Sequence, residues 1–327
     1  MSEVRRSLLA RLGLDTGARR ILYAALAAVV IFIVGAAVRP GFASPGGIEA
    51  VLLVASFVGI VAAGQTFVIL IGGIDLSIPS VLNAAAILLV TTTLGQDDRA
   101  LYGVAATLAM GAGFGLLNGI GIAILGVPAV IMTLAMNGIA EGLMLGLSGG
   151  LTCQSCASYA PPVVQAAVHG RFLDIPLALW VWGGVIVAVS VVLSYSAFGR
   201  RTYAIGNNSV ASYLAGINVP ATTILLYMLS GTFAALAGIL LVGYGGQASL
   251  GMGTPYLFES IAAAVVGGIS ILGGRGHYLG AAAGAVSLIA LITVLQAVNM
   301  PEYGRSILYG VVVIVLLLAY GREDEAA

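Results

Sequence analysis

The chain has 327 residues, 60% of them hydrophobic and only 8% charged, with a formal net charge of zero and a mean hydropathy of +1.09. Soluble domains carry about 25% charged residues, so this inventory excludes a water-exposed surface and marks a polytopic membrane protein, expected to be an all-α bundle from the apolar spans read below. Every one of the 13 basic residues is arginine. A P-loop lysine is therefore missing and Schiff-base chemistry on lysine is excluded. Without basic runs carrying interleaved aromatics, nucleic-acid binding has no support.

A helix needs about 20 apolar residues to cross about 30 Å of hydrocarbon. That ruler yields ten spans: 20–38, 48–71, 77–95, 100–125, 129–148, 175–197, 221–243, 257–272, 278–298 and 306–320. The eighth and tenth are short enough to be broken or re-entrant. The 46 glycines suit such a bundle, because small residues let helices approach closely where lipid provides no hydrophobic drive. Arg5, Arg6, Arg11, Arg19 and Arg20 precede the first span and put segment 1–19 in the cytoplasm. Arg200, Arg201, Arg275 and Arg322 then fall inside, and Arg39, Arg99, Arg171 and Arg305 outside. The tail 321–327 is cytoplasmic, and 20–320 is read as one transmembrane domain. The first span reads as an anchor and not as a removed signal.

Trp180 and Trp182 fall in the outer part of the sixth span, where amphipathic rings favour the interface. The external loop 149–174 holds Cys153 and Cys156, either a local disulfide or two packed thiols. Together with His169 the cysteines also offer a weak zinc-ligand set, while His277 falls on the opposite side of the membrane.

Four segments carry candidate function. Gly72-Gly73-Ile74-Asp75-Leu76-Ser77 breaks the chain between two spans, with Asp75 or Ser77 able to cap the next helix. Backbone broken at membrane depth is tolerated only inside protein or along a cavity, so such a break points to a translocation path. Asp75 serves either that path or the cap alone. Gln65, Asn83, Asn118, Asn137, Glu141 and Gln296 are polar within spans and are expected to face the bundle interior, as path residues or as interhelical hydrogen bonds. Of the acids, Glu141 reads as the deep one, with Asp75 and Glu259 nearer span ends.

The cytoplasmic loop 198–220 has paired Arg200 and Arg201, then Gly206, Asn208 and a short helix expected to be capped by Ser209. Val210, Tyr213, Leu214 and Ile217 form one apolar stripe, and Gly216 stops the helix. Such a helix suits a groove on a partner or the membrane surface. The fourth segment carries Gly267-Gly268 and Gly273-Gly274 before Arg275, and Gly267-Gly268-Ile269 echoes Gly72-Gly73-Ile74.

Three of these segments in order, Gly72–Ser77, Tyr203–Val219 and Val266–Gly276, resemble the signatures of permease subunits of ATP-binding-cassette importers for monosaccharides, the ribose/xylose/galactose group of the branched-chain amino acid/ribose permease superfamily. The resemblance spans about 50 to 320 and implies a type II importer-like bundle of ten helices in the bacterial inner membrane. It also implies a second permease copy, an ABC ATPase on the 200–219 loop, and a periplasmic sugar-binding protein. ATP and Mg would then be held by the ATPase, with no cofactor, catalytic residue or metal in this chain. The coupling loop departs from the family pattern: Asn207 replaces a second Gly, no acid or Arg lies between 208 and 214, and Ala215 replaces Ser. The competing reading is an ion-coupled secondary transporter, for which buried acids are too few. A membrane enzyme lacks a nucleophile–base or metal constellation.

Overall fold

A computed structural model describes residues 16–149 and 159–301, with 303, 304, 307, 310 and 311. Its helices are α1 Thr16–Val38, α2 Pro45–Ile69, α3 Ile78–Thr93, α4 Ala100–Ala123, α5 Ala129–Ser148 and α6 Pro162–His169. There follow α7 Leu177–Tyr195, α8 Ala197–Asn207, α9 Ser209–Leu214, α10 Val219–Gly245, α11 Tyr256–Val266 and α12 Tyr278–Ala297. A two-stranded hairpin, β1 Arg171–Phe172 and β2 Ile175–Pro176, links α6 to α7. Helix starts follow the chemistry of free amides. Ser44 Oγ accepts from Gly47 N at 3.1 Å before Pro45, and Asn218 Oδ1 accepts from Ala221 N at 3.0 Å before Pro220. In both, proline occupies a turn whose N–H would lack a helical partner.

Seven of these helices (α1, α2, α4, α5, α7, α10 and α12) are long and apolar enough to cross a membrane. Two expected spans come out shorter. α3 has 16 residues and α11 has 11, or about 24 Å and about 17 Å at 1.5 Å per residue. Shortness was expected of the eighth span. The third runs close to its expected bounds: Leu94 takes a left-handed conformation at φ 50° and ends α3 just before the polar Gln96-Asp97-Asp98-Arg99. The tenth expected span lies almost entirely outside the described residues, as do Cys153 and Cys156.

Burial separates an inner set of helices from an outer ring. Within its most apolar window α2 is 83% buried, whereas α1 is 17% buried. α10 and α12 join α2 at the centre, and α1, α4, α5 and α7 present broad apolar faces outward. The tightest crossing uses small residues. A Cβ at Gly115 of α4 would overlap the Tyr227 carbonyl of α10, and Gly111 and Gly231 abut in the same way. Deeper in, Trp182 Nε1 donates to Tyr278 Oη at 3.2 Å, and that hydroxyl donates to Gly59 O at 2.8 Å. These two bonds tie α7, α12 and α2 together.

Candidate functional site

The chain after α7 is not a loop but two helices. Ser196 Oγ accepts from Gly199 N at 3.0 Å and starts α8, so residues 197–207 are helical. Asn208, extended at φ −162°, caps α9 by accepting from Ala211 N at 2.9 Å. This corrects the expectation for Ser209, which is the first helical residue. Asn208 has the extended backbone of an N-cap residue, whereas Ser209 already lies within the helix. Arg200 and Arg201 are exposed, and Gly216 ends the turn at φ +82°. Val210, Tyr213 and Leu214 also face outward, Leu214 at 79%, while Ile217 is half-buried. α9 thus offers an uncovered apolar stripe.

The last turn of α8 lies on both Gly-Gly segments. Gly274 N donates to Leu70 O at 2.8 Å, joining the second break to the first. A Cβ on Gly206 would overlap both of those groups, so only hydrogen allows α8 to approach. Tyr203 Oη donates to Gly276 O at 2.7 Å. Burial raises the Tyr203 phenol to about 12, which keeps the donor in place at every physiological pH. Beside it, His277 Nδ1 accepts from Leu279 N at 3.1 Å and caps α12, while Nε2 lies 2.9 Å from Ser194 Oγ. The exposed Arg275 side chain sits above this joint, and its carbonyl accepts from Ser270 N at 3.0 Å.

The first break is fixed by a buried polar network. Asp75 Oδ1 accepts from Ser77 N at 3.0 Å and from Ser77 Oγ at 2.6 Å. Its Oδ2 accepts from Ser230 Oγ of α10 at 2.7 Å, and Asn118 Nδ2 of α4 donates to Ser77 Oγ at 2.9 Å. Asp75 therefore binds the turn ahead of α3 and bridges to α10; the Ser77 side chain makes no cap bond of its own. Tyr227, one helical turn from Ser230, packs its hydroxyl 2.5 Å from where a Cβ on Gly73 would sit. That hydroxyl, both Gln65 amide atoms and Asn118 Oδ1 are buried without a protein partner.

The remaining polar residues divide. Asn83 Oδ1 accepts from Gly253 N at 2.6 Å, and half-buried Asn137 accepts from Ser80 Oγ at 2.8 Å. Glu141 and Gln296 are exposed on the single chain, which corrects their expected inward orientation. On α5 the buried positions are Thr133, Met136, Ala140 and Met144. Glu141 lies about 100° round the helix from Ala140, beyond that stripe. The acids thus exchange roles: Asp75 is deep and Glu141 is peripheral. His169 and His277 stand at opposite ends of the bundle, His169 Nε2 lying 3.1 Å from Tyr244 O and His277 at the α8 end. Ser230 and Tyr227 were not singled out from sequence. The only signal was a Tyr–x–x–Ser spacing inside an apolar run.

Short broken helices joined at one end of a long-helix bundle, beside an uncovered apolar helix, define a multi-pass membrane permease. The chain belongs to the family described as branched-chain amino acid transport system / permease component, matched over residues 47–317. It is 33% identical to the ribose import permease protein RbsC of Escherichia coli (strain K12) over 91% of this chain and 93% of that protein. It is 31% identical to the Haemophilus influenzae protein of the same name, over 90% and 91%. The autoinducer 2 import system permease protein LsrC of Klebsiella pneumoniae is 32% identical over 94% of this chain and 88% of its own length. No solved structure matches the chain.

Proposed function

We propose that this chain is the permease subunit of an ATP-driven importer in the bacterial inner membrane, with both termini cytoplasmic, and that it passes a monosaccharide received from a periplasmic binding protein. The observation that carries the reading is the joint at Gly206: one short helix, α8, leans on both helix breaks, and α9 next to it holds an uncovered apolar stripe. A partner ATPase seated on Val210, Tyr213 and Leu214 would press on both breaks with one displacement. ATP and Mg belong to that partner. The family and the named relatives, ribose and autoinducer 2 import permeases, support a small polar solute.

The path is argued from α5. A carboxylate facing hydrocarbon costs about 2.5–3.5 kcal/mol on insertion scales, yet Glu141 is exposed, and Gly138, Gly142 and Gly146 have open space around them. A second copy of the chain facing this surface would cover it and enclose a path lined by Asn137 and Glu141. Asp75, Gln65, Asn83 and Asn118 stand behind that path as its fixed support. No bond in the solute is made or broken; weak polar contacts let it leave again.

The test is uptake by sealed vesicles holding this chain with the ATPase and binding protein encoded beside it. Labelled ribose should accumulate only with ATP on the α8–α9 side. Accumulation driven by a proton or sodium gradient without ATP would contradict the reading.

A further inference from the structure

The hairpin at the opposite end of the bundle from α8 and α9 is apolar where a turn is usually polar. Phe172 pairs with Ile175, and Leu173 and Asp174 form the two-residue turn with φ +53° and +58°. Such a turn favours Asn, Asp or Gly at both positions. Leucine gains nothing there from backbone conformation, and its side chain is 71% exposed. Phe172 and Ile175 beside it are exposed too.

This apolar tip is held rigidly. Trp180 Nε1 donates to Phe172 O at 3.1 Å, and the two rings meet edge to face at 5.6 Å. Leu177 N donates to Gly170 O at 2.7 Å. Arg171 pairs with Glu49 at the start of α2, which fixes the hairpin to the central helix as well. The tip also continues a lipid-facing surface. Trp180, Val187, Val191 and Tyr195 are all exposed on α7, and their spacing of seven, four and four puts them on one side of a membrane-spanning helix. Trp180 and Tyr195 are about 22 Å apart along it, an aromatic residue at each end, as at the two interfaces of a bilayer.

We propose that Phe172, Leu173 and Ile175 insert into the boundary between headgroups and acyl chains of the adjoining leaflet, making the hairpin a lipid anchor for the ends of α7 and α2. The line of exposure down α7 favours lipid over a soluble partner. So does charge: Arg171 is matched by Glu49, and among the described residues Asp174 alone adds to the patch, which gives little to steer a protein.

The chain's two tryptophans are Trp180 and Trp182, which makes a direct test available. The full chain carrying Leu173→Trp, Trp180→Phe and Trp182→Phe is placed in phosphatidylcholine nanodiscs. Lipid brominated near the top of the acyl chain should quench the residue-173 emission, and aqueous iodide should leave it nearly unchanged. Quenching by iodide but not by brominated lipid would overturn the proposal. If added binding protein then removed the iodide quenching, the hairpin would be a protein-docking surface instead. The Trp182→Phe chain, with Trp180 as sole indole, provides a second reading. Shallow brominated lipid should quench it, less so when Leu173→Asp is added; quenching that Leu173→Asp leaves unaltered would also overturn the proposal.

Discussion

The two Gly-Gly-Ile segments solve one problem by different means. After α2, Gly72-Gly73-Ile74 leads into Asp75, and side chains hold the break: three hydrogen bonds reach one carboxylate, drawing in Ser77 and Ser230, with Asn118 behind. After α11, Gly267-Gly268-Ile269 leads into Ser270, and backbone dominates. Gly268, Gly273, Gly274 and Gly276 all take positive φ, while Ser270 N to Arg275 O and Gly273 N to Ser270 O close the turn. A break locked by a buried polar network has few alternative states. A break made of glycine turns can change shape at low cost. The first is thus built as a fixed pivot and the second as the compliant side of the joint, with α8 pressing on both.

The largest effect on uptake is expected where the two breaks meet. Gly206→Ala sets a methyl against the Leu70 carbonyl and the Gly274 amide, an overpacking worth about 1–3 kcal/mol. ATP-driven uptake should fall about tenfold or more, the factor for about 1.4 kcal/mol, while the partner's ATP hydrolysis continues. Parallel uptake and hydrolysis assays check this.

Next comes the contrast between the breaks themselves. Asp75→Ala leaves the buried hydroxyls of Ser77 and Ser230 without their acceptor, at about 1–3 kcal/mol for each unpaired group. Asp75→Asn keeps an acceptor and should lose much less. Gly268→Ala forces a side chain into left-handed backbone at φ +84°, costing about 1–2 kcal/mol beyond what the shift of Arg20, whose Cβ would lie 2.5 Å away, requires. Thermal unfolding in detergent should therefore rank Asp75→Ala below Gly268→Ala, and Asp75→Asn close to the native chain. Equal losses for Asp75→Ala and Asp75→Asn would remove the pivot.

The smallest effect concerns pH. Burial holds the His277 imidazole below its ordinary value, and Nδ1 must stay unprotonated to accept from Leu279 N. The unfolded chain then binds the proton more readily, so stability falls as pH drops below about 6.5 toward the folded value. His277→Asn keeps a capping acceptor without titrating, and should flatten the pH dependence of the melting temperature over that window.

Hydropathy made the long helices legible, because hydrocarbon thickness imposes one length on all of them. The end of α3 was legible too, because the left-handed Leu94 and Gly95 fall where the sequence turns polar at Gln96-Asp97-Asp98-Arg99. The Gly-Gly breaks were readable as breaks, since paired glycines weaken a helix wherever they occur. Their mutual contact was not, because Leu70 and Gly274 are distant in sequence and meet through main-chain atoms that leave no side-chain signature. The same holds for Asp75 and Ser230. Glu141 is the instructive case. Its depth in an apolar run suggested an inward acid, yet the Thr133, Met136, Ala140 and Met144 stripe already pointed the buried face elsewhere.

The most direct test of the central claim, that motion enters through α9 and reaches the breaks through α8, is ATP-driven uptake, by vesicles carrying Leu214→Asp, of the sugar that vesicles with the native chain accumulate. The Leu214 side chain faces outward, 79% exposed, so the subunit should insert normally, fail to retain the ATPase and lose uptake. Native uptake with the aspartate in place would contradict the account.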